Sequence, residues 1–291
     1  MQTSIAYLFV VLIWSTTPLA IQWSNGSGSF MAAVTMRMSI ALLVAMLINV
    51  SLGRALFDRP GVWKVYLAAS LGIFPGMPLV YWSAQFIPSG AMAIVFAFSP
   101  FVTGFFSWWL LGETAFTARR LAALIAAVAG LALVFSGQLS VAPNSWPGVV
   151  GMLAACTIFS ASSVWLKRLN TPVDAFNQTV GALLFALPGL LLLWALIGGQ
   201  WHYSIKSFSA IVYLSLGGSL LGFTLFFFVL ARMKATAVSL ITLIAPVLSL
   251  LLGVLVAQEE LPASSIVGAG VIIGALIIYL DLWFWRGRSP A

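Results

Sequence analysis

Apolar residues run along this chain in stretches about as long as a membrane is thick, separated by short charged or turn-forming clusters. A helix rises 1.5 Å per residue, so about 20 residues cross the ~30 Å of hydrocarbon in a bilayer. Runs of that length give ten predicted helices, at 4–23, 31–52, 64–86, 89–111, 119–137, 148–166, 174–197, 207–231, 235–257 and 264–285. The breaks have the right chemistry for loops. Ser24-Asn-Gly-Ser-Gly-Ser separates the first two, Pro88-Ser-Gly the third and fourth, and Pro143-Asn-Ser-Trp-Pro147 the fifth and sixth.

Basic residues test this division independently. Arg54, Arg59, Lys64, Arg119, Arg120, Lys167, Arg168, Arg232, Lys234, Arg286 and Arg288 all fall in one set of alternate loops, eleven of the chain's thirteen Lys and Arg. The opposite set holds Lys206 alone, and Arg37 stays inside a span. Loops rich in Lys and Arg remain in the cytoplasm, so both termini are expected there, in a multi-pass protein of the cell's inner membrane.

Composition agrees with lipid as the main solvent. Of 291 residues, 62% are hydrophobic and 7% charged, where a soluble domain carries about a quarter charged residues. The net charge of +7 comes from these loop clusters, so it reads as membrane orientation and nucleic acid is not expected as a partner. Cys156 is the single cysteine and His202 the single histidine, which leaves no disulfide, thiolate metal site or cofactor to expect. The N-terminal run lacks a basic leader and a small-residue cleavage pattern, so it is expected to persist as the first span.

A shift of 146 residues lays 72–135 on 218–281. Gly72 and Gly76 then fall on Gly218 and Gly222, Ala91 on Ala237, Pro100 on Pro246, and Glu113 on Glu259. Only three glutamates occur, and two of them coincide under the shift that also pairs two mid-span prolines. With five spans per half the second copy inserts upside down, the plan of many secondary transporters. The expected halves are 1–143 and 144–291, in an all-α membrane protein of ten helices.

Three motifs carry a family resemblance. Ile13-Trp-Ser-Thr-Thr-Pro-Leu-Ala20 in the first span resembles the opening signature of EamA-type members of the drug/metabolite transporter superfamily. Ser89-Gly-Ala-Met-Ala-Ile, Ser99-Pro and Trp109-Leu-Leu-Gly-Glu113 resemble the family's fourth-helix pattern. Ala235-Thr-Ala-Val-Ser, Ala245-Pro and Gln258-Glu259 repeat that pattern, departing from it at Gln258, where the family often has Gly. The resemblance covers nearly the whole chain. It implies a ten-helix exporter with helices 1, 3, 4, 6, 8 and 9 around a central cavity, helices 5 and 10 more peripheral, and a loosened turn at Gln258.

Candidate transport residues follow from depth and chemistry. Pro100 and Pro246 each remove a backbone donor mid-span and permit a hinge, although proline is common in membrane helices anyway. Gly72 and Gly76, with Gly218 and Gly222, lie four apart and allow close helix packing, which also suits helices that slide. Arg37 sits about two turns from the outer end of its span, with two readings: it binds helix-end carbonyls, or it meets a substrate carboxylate. Trp14, Tyr81, Trp82 and Trp165 lie deep on helices that the resemblance puts around the cavity. Ser15, Thr17, Gln85, Ser99 and Ser163 supply hydrogen-bonding groups near them, although a packing or lipid-facing role is open for each.

No Asp or Glu occurs mid-span. That pattern disfavours an organic-cation substrate and carboxylate-centred ion coupling. The expected function is a secondary carrier exporting small amphipathic metabolites such as amino acids, with membrane lipid and a small-molecule substrate as partners, as a monomer or a homodimer. Another organic solute (a drug, nucleobase or sugar-like compound), a channel and a membrane enzyme are the alternatives. The enzyme would need convergent titratable groups.

Overall fold

In lipid every backbone N–H and C=O must find its partner within the chain, and an α-helix achieves this segment by segment. A computed structural model describes residues 2–26, 28–112, 117–141, 143–200, 202–233, 238, 241–258 and 262–279. It is helical throughout, with no strand among the described residues. Glu113, Lys234, Glu259, Glu260, Asp281 and the basic C-terminal residues lie outside these ranges, as does most of the Ala235 motif.

Every apolar run read from the sequence contains helix. The elements are α1 Gln2–Asn25, α2 Phe30–Ser51, α3 Val62–Ser70, α4 Gly76–Ser83, α5 Ser89–Phe96, α6 Ser99–Leu111 and α7 Ala118–Val141. A single 3-10 turn leads into α8 Trp146–Leu169, followed by α9 Ala175–Ile197 and α10 Ile205–Tyr213. A π-helical segment, Leu214–Leu221, joins α10 to α11 Gly222–Arg232, and α12 Ile241–Ala257 and α13 Ala263–Tyr279 complete the order. Among the described residues six segments are long and apolar enough to cross a bilayer, including α5 with α6 and α10 through α11 as continuous spans. On α1 the outward Ile5, Leu8, Phe9 and Leu12 are exposed at helical spacing, as a lipid-facing stripe would be.

Three of the runs expected as single helices are interrupted. Between α3 and α4 the ladder slips at residues 71–75, where Pro75 has no N–H and Gly76 N reaches back five residues to Leu71 O at 3.3 Å. In the run from 207 to 231 the π segment shifts the ladder over Gly217 and Gly218. Between α5 and α6 the break at Ala97–Phe98 precedes Pro100, which sits in the first turn of α6.

Two irregularities match under the 146-residue shift, whereas the break at Ala97–Phe98 maps inside the continuous helix α12. Residues 71–75 correspond to 217–221, the end of the π segment. Gly112, the left-handed C-cap of α6 at φ 67°, corresponds to Gln258, which takes φ 51° at the end of α12. A non-glycine side chain in that region costs about 1 kcal/mol, so the position keeps its turn at some strain.

One large core joins α1, α2, α4, α5, α8, α9 and α11. Helices α7 and α13 pack mainly on each other at its side, backbone to backbone. A Cβ on Gly130 would lie 2.9 Å from Gly268 O, so no larger residue fits there. The bundle end bearing Asn25 is laced by polar ties: Gln22 Nε2 donates to Ile87 O at 3.0 Å, Asn25 Nδ2 to Tyr81 O at 2.9 Å and Ser207 Oγ to Ser24 O at 2.8 Å.

Candidate functional site

A cavity of about 110 Å³ lies in the middle of the bundle. Its walls come from α1, α2, the α3–α4 break, α4, α5, α8, the π segment, α11 and α12. Most of the lining is apolar, supplied by Met77, Met92, Met152, Phe96 and Phe159 among others. The interrupted helices therefore meet at this cavity. Gly72 and Gly76 from the first break, Gly218 from the π segment and Ala97 from the α5–α6 break all line it.

Arg37 is the cation in the wall. It stands two turns into α2 and is 1% exposed. Nε donates to Ser219 Oγ at 2.8 Å, and Nη1 donates to Tyr81 Oη at 3.4 Å. The guanidinium carbon lies 5.9 Å from the centre of the Tyr81 ring. These side chains, and no helix-end carbonyl, are the hydrogen-bond partners of Arg37 among the described residues. Among the described residues the ion pairs are Arg54–Asp174 and Arg59–Asp58, so no described carboxylate compensates the buried charge. A buried cation without a counter-charge is costly, and a ligand that brings one removes that cost.

Glycine makes this arrangement possible. A Cβ on Gly218 would lie 3.0 Å from Arg37 Nη2, and one on Gly222 would lie 3.0 Å from Trp14 Nε1. The shifted ladder of the π segment thus seats the guanidinium on one turn and the indole on the next. Trp14 packs edge-on to Phe159 with centroids 5.7 Å apart and lies 4.9 Å from Phe226. Pro18, also in the wall, lacks the N–H that would otherwise take the Trp14 carbonyl.

The residues singled out from sequence divide into three groups. Trp14, Thr17, Arg37, Gly72, Gly76 and Gly218 line the cavity, while Gly222 backs Trp14. Tyr81 and Ser15 stand one layer behind: Tyr81 through Arg37, and Ser15 through its carbonyl, which accepts from the cavity-lining Ser249. The remainder lie elsewhere. Trp82 packs on Phe86 and covers Gly151, Gln85 is exposed, and Trp165 is half-buried outside the cavity wall. Ser99 is buried where its carbonyl accepts from Ser160 Oγ at 3.4 Å, and the Ser163 hydroxyl returns to Phe159 O at 2.9 Å. Pro100 is in the first turn of α6, and Pro246 falls within α12.

Ser219, Ser249, Phe159 and Phe223 belong to the site and were not picked out from sequence. Ser219 carried a signal, as the polar residue inside Gly217-Gly-Ser-Leu-Leu-Gly222. The two phenylalanines carried none in a chain with 21 of them. Together the groups make a small, mainly apolar chamber with one cation at its wall, suited to an organic molecule with an anionic end and a compact apolar body.

The profile of the EamA-like transporter family matches twice, over residues 2–136 and 146–280. The chain is 24% identical to "Protein PecM" of Dickeya dadantii over 241 residues, covering 82% of this chain and 80% of that one. It is 24% identical over 228 residues to "Uncharacterized transporter YvbV" of Bacillus subtilis, covering 74% of this chain and 71% of that one. It is 27% identical over 200 residues to "Uncharacterized inner membrane transporter YedA" of Escherichia coli, at 67% and 62% coverage. A solved crystal structure superposes over 97% of this chain and 98% of the other, with a TM-score of 0.71 at 20% identity, which establishes the shared fold. The chain is a multi-pass membrane protein and belongs to the EamA-like transporter family.

Proposed function

We propose that the protein is a secondary carrier that exports small amphipathic metabolites such as amino acids across the inner membrane. It works by alternating access between two inverted five-helix halves, residues 1–143 and 144–291, with both termini in the cytoplasm. The observation that carries the substrate reading is Arg37, buried in the cavity wall with hydroxyl partners and no carboxylate among the described residues. A substrate carboxylate completes its coordination, while the methionine and phenylalanine walls take the apolar body.

An organic cation fares worse. It would leave water and meet another positive charge, so its desolvation goes uncompensated. A zwitterion brings part of its own compensation. The two-half reading draws support from the double family match and from the paired irregularities at 71–75 with 217–221 and at Gly112 with Gln258.

Counterflow in proteoliposomes tests this, with labelled leucine, phenylalanine, threonine and a quaternary ammonium compound. Amino-acid exchange faster than that of the quaternary ammonium is expected. If the quaternary ammonium is carried fastest, the cavity favours cations and the reading is wrong.

A further inference from the structure

The central chamber has a second polar feature besides Arg37. Two hydroxyls in its wall, on Thr17 and Ser249, have their protons committed to the backbone of α1. Thr17 Oγ1 donates to Ile13 O at 3.0 Å, and Ser249 Oγ donates to Ser15 O. A carbonyl can only accept, so each hydroxyl hydrogen points at the backbone and only lone pairs remain for a molecule in the chamber. Arg37, by contrast, offers donors and no acceptor.

Gly72 supplies an independent observation. It is buried and lines the chamber, and no described N–H reaches its carbonyl. The donors that a regular helix would bring are engaged elsewhere. Gly76 N goes to Leu71 O at 3.3 Å, Met77 N goes to Ile73 O at 2.9 Å, and Pro75 has no N–H. The α3–α4 break therefore leaves an orphan acceptor at the wall. Inside a membrane bundle such a group costs about as much as a lost hydrogen bond, and a ligand that carries N–H removes that cost.

These acceptors share the chamber with Arg37 at a similar depth. Thr17 stands eight residues before the end of α1 at Asn25, and Arg37 seven residues into α2 from Phe30. At 1.5 Å per residue both lie about 10–12 Å from the same end of the bundle. Ser249 is held beside Thr17 by its bond to Ser15 O.

We infer that Gly72 O, Thr17 Oγ1 and Ser249 Oγ form the seat of a primary ammonium group on the substrate. The inference rests on the proposed carriage of amino acids, with the substrate carboxylate on Arg37, and adds what reads the other charged group. A primary ammonium has three N–H donors, one for each of these oxygens. Its charge then meets three oxygen dipoles, which explains how a zwitterion is held in a chamber without a described carboxylate. A quaternary ammonium has no N–H to give and leaves the same oxygens unpaired. An α-keto acid brings only further acceptors to this wall.

The full chain in proteoliposomes provides the test, by exchange of labelled leucine against leucine or against the α-keto acid of leucine. The keto acid keeps the carboxylate and the apolar body and lacks the ammonium. Its KM is expected to exceed that of leucine about tenfold or more, the effect of losing hydrogen bonds to a charged group. Thr17→Val and Ser249→Ala should each raise KM for leucine about tenfold and leave KM for the keto acid unchanged. Thr17→Ser keeps the hydroxyl and should stay near wild type. A wild-type KM for the keto acid equal to or below that of leucine overturns the inference and leaves the Arg37 reading standing, whether or not the variants fold. Folded variants that raise both KM values alike overturn it too. Failure of the underlying reading looks different: neither leucine nor its keto acid is exchanged, and the inference falls with it.

Discussion

Arg37 Nε donates to Ser219 Oγ at 2.8 Å across 182 residues of sequence, tying the second turn of α2 to the π-helical segment. The same segment offers Gly218 against the guanidinium, and Gly222, which follows it, against Trp14. The distorted helix is therefore what presents both the cation and the aromatic face to the chamber. Arg37→Gln is expected to raise KM for leucine counterflow about ten- to a hundredfold, since bonds to charged groups contribute about 1.5–3 kcal/mol. A neutral solute should be affected less. Arg37→Lys should recover part of the loss, because the charge returns without the planar fork. Equal KM values in wild type and Arg37→Gln would separate Arg37 from substrate binding.

Gly218→Ala places a methyl group 3.0 Å from Arg37 Nη2, so the guanidinium must give way. We expect a higher KM for leucine with a thermal midpoint close to wild type, because the obstructing atom is the end of a long side chain. Gly270→Ala is the control, as a Cβ there meets nothing within 4 Å. If both variants shift KM alike, the contact with Arg37 is not what Gly218 protects.

Gln258 occupies the left-handed turn that Gly112 holds at the end of α6. Gln258→Gly should relieve strain and stabilise the protein by up to about 1 kcal/mol, less the entropy that glycine adds to the unfolded chain. A raised thermal midpoint with unchanged counterflow is the expected result. A clear fall in midpoint would mean that the glutamine side chain contributes more than its backbone costs.

The basic residues predict sidedness as well. In a Cys156→Ala background, an impermeant thiol reagent on intact cells should label Asn25→Cys and leave Asp58→Cys untouched. The reverse pattern would invert the proposed topology.

Much of the fold was legible because lipid imposes a length rule and Lys and Arg punctuate it. The helices fall within a few residues of the apolar runs, and one interruption appears beside Pro100, where a hinge was expected; those at 71–75 and 214–221 were not anticipated, because Gly72, Gly76, Gly218 and Gly222 read as packing positions. The face of each helix was harder to read. In lipid the outward side of a helix is as apolar as the inward side, so periodicity gives depth without direction. That is why Trp14 and Trp82 looked alike from sequence, yet Trp14 lines the chamber and Trp82 packs against α8 at Gly151. Ser219 as the partner of Arg37 depended on a contact between distant spans, which no local pattern carries.

The hinge prediction rests on the α5–α6 break. Pro100 cannot supply the N–H that the Phe96 carbonyl would take four residues on, and the ladder instead closes through Phe98 N to Val95 O at 3.1 Å and Phe101 N to Phe98 O at 3.1 Å. Phe96 and Ala97 line the chamber, so a change of angle at this break changes the shape of the chamber wall. Pro246 stands at the matching position of α12, and Ala245 beside it lines the same chamber. Substituting alanine restores the missing donor and favours a continuous helix, at the cost of the bend that rocking the two halves requires. Pro100→Ala and Pro246→Ala should each slow leucine counterflow about tenfold while KM changes little, which corresponds to about 1.4 kcal/mol on the conformational step. Folding, followed by the thermal midpoint, should stay near wild type, because no large void is created. A double substitution that exchanges leucine at the wild-type rate would show that the halves move without these prolines, and the hinge assignment would then fail.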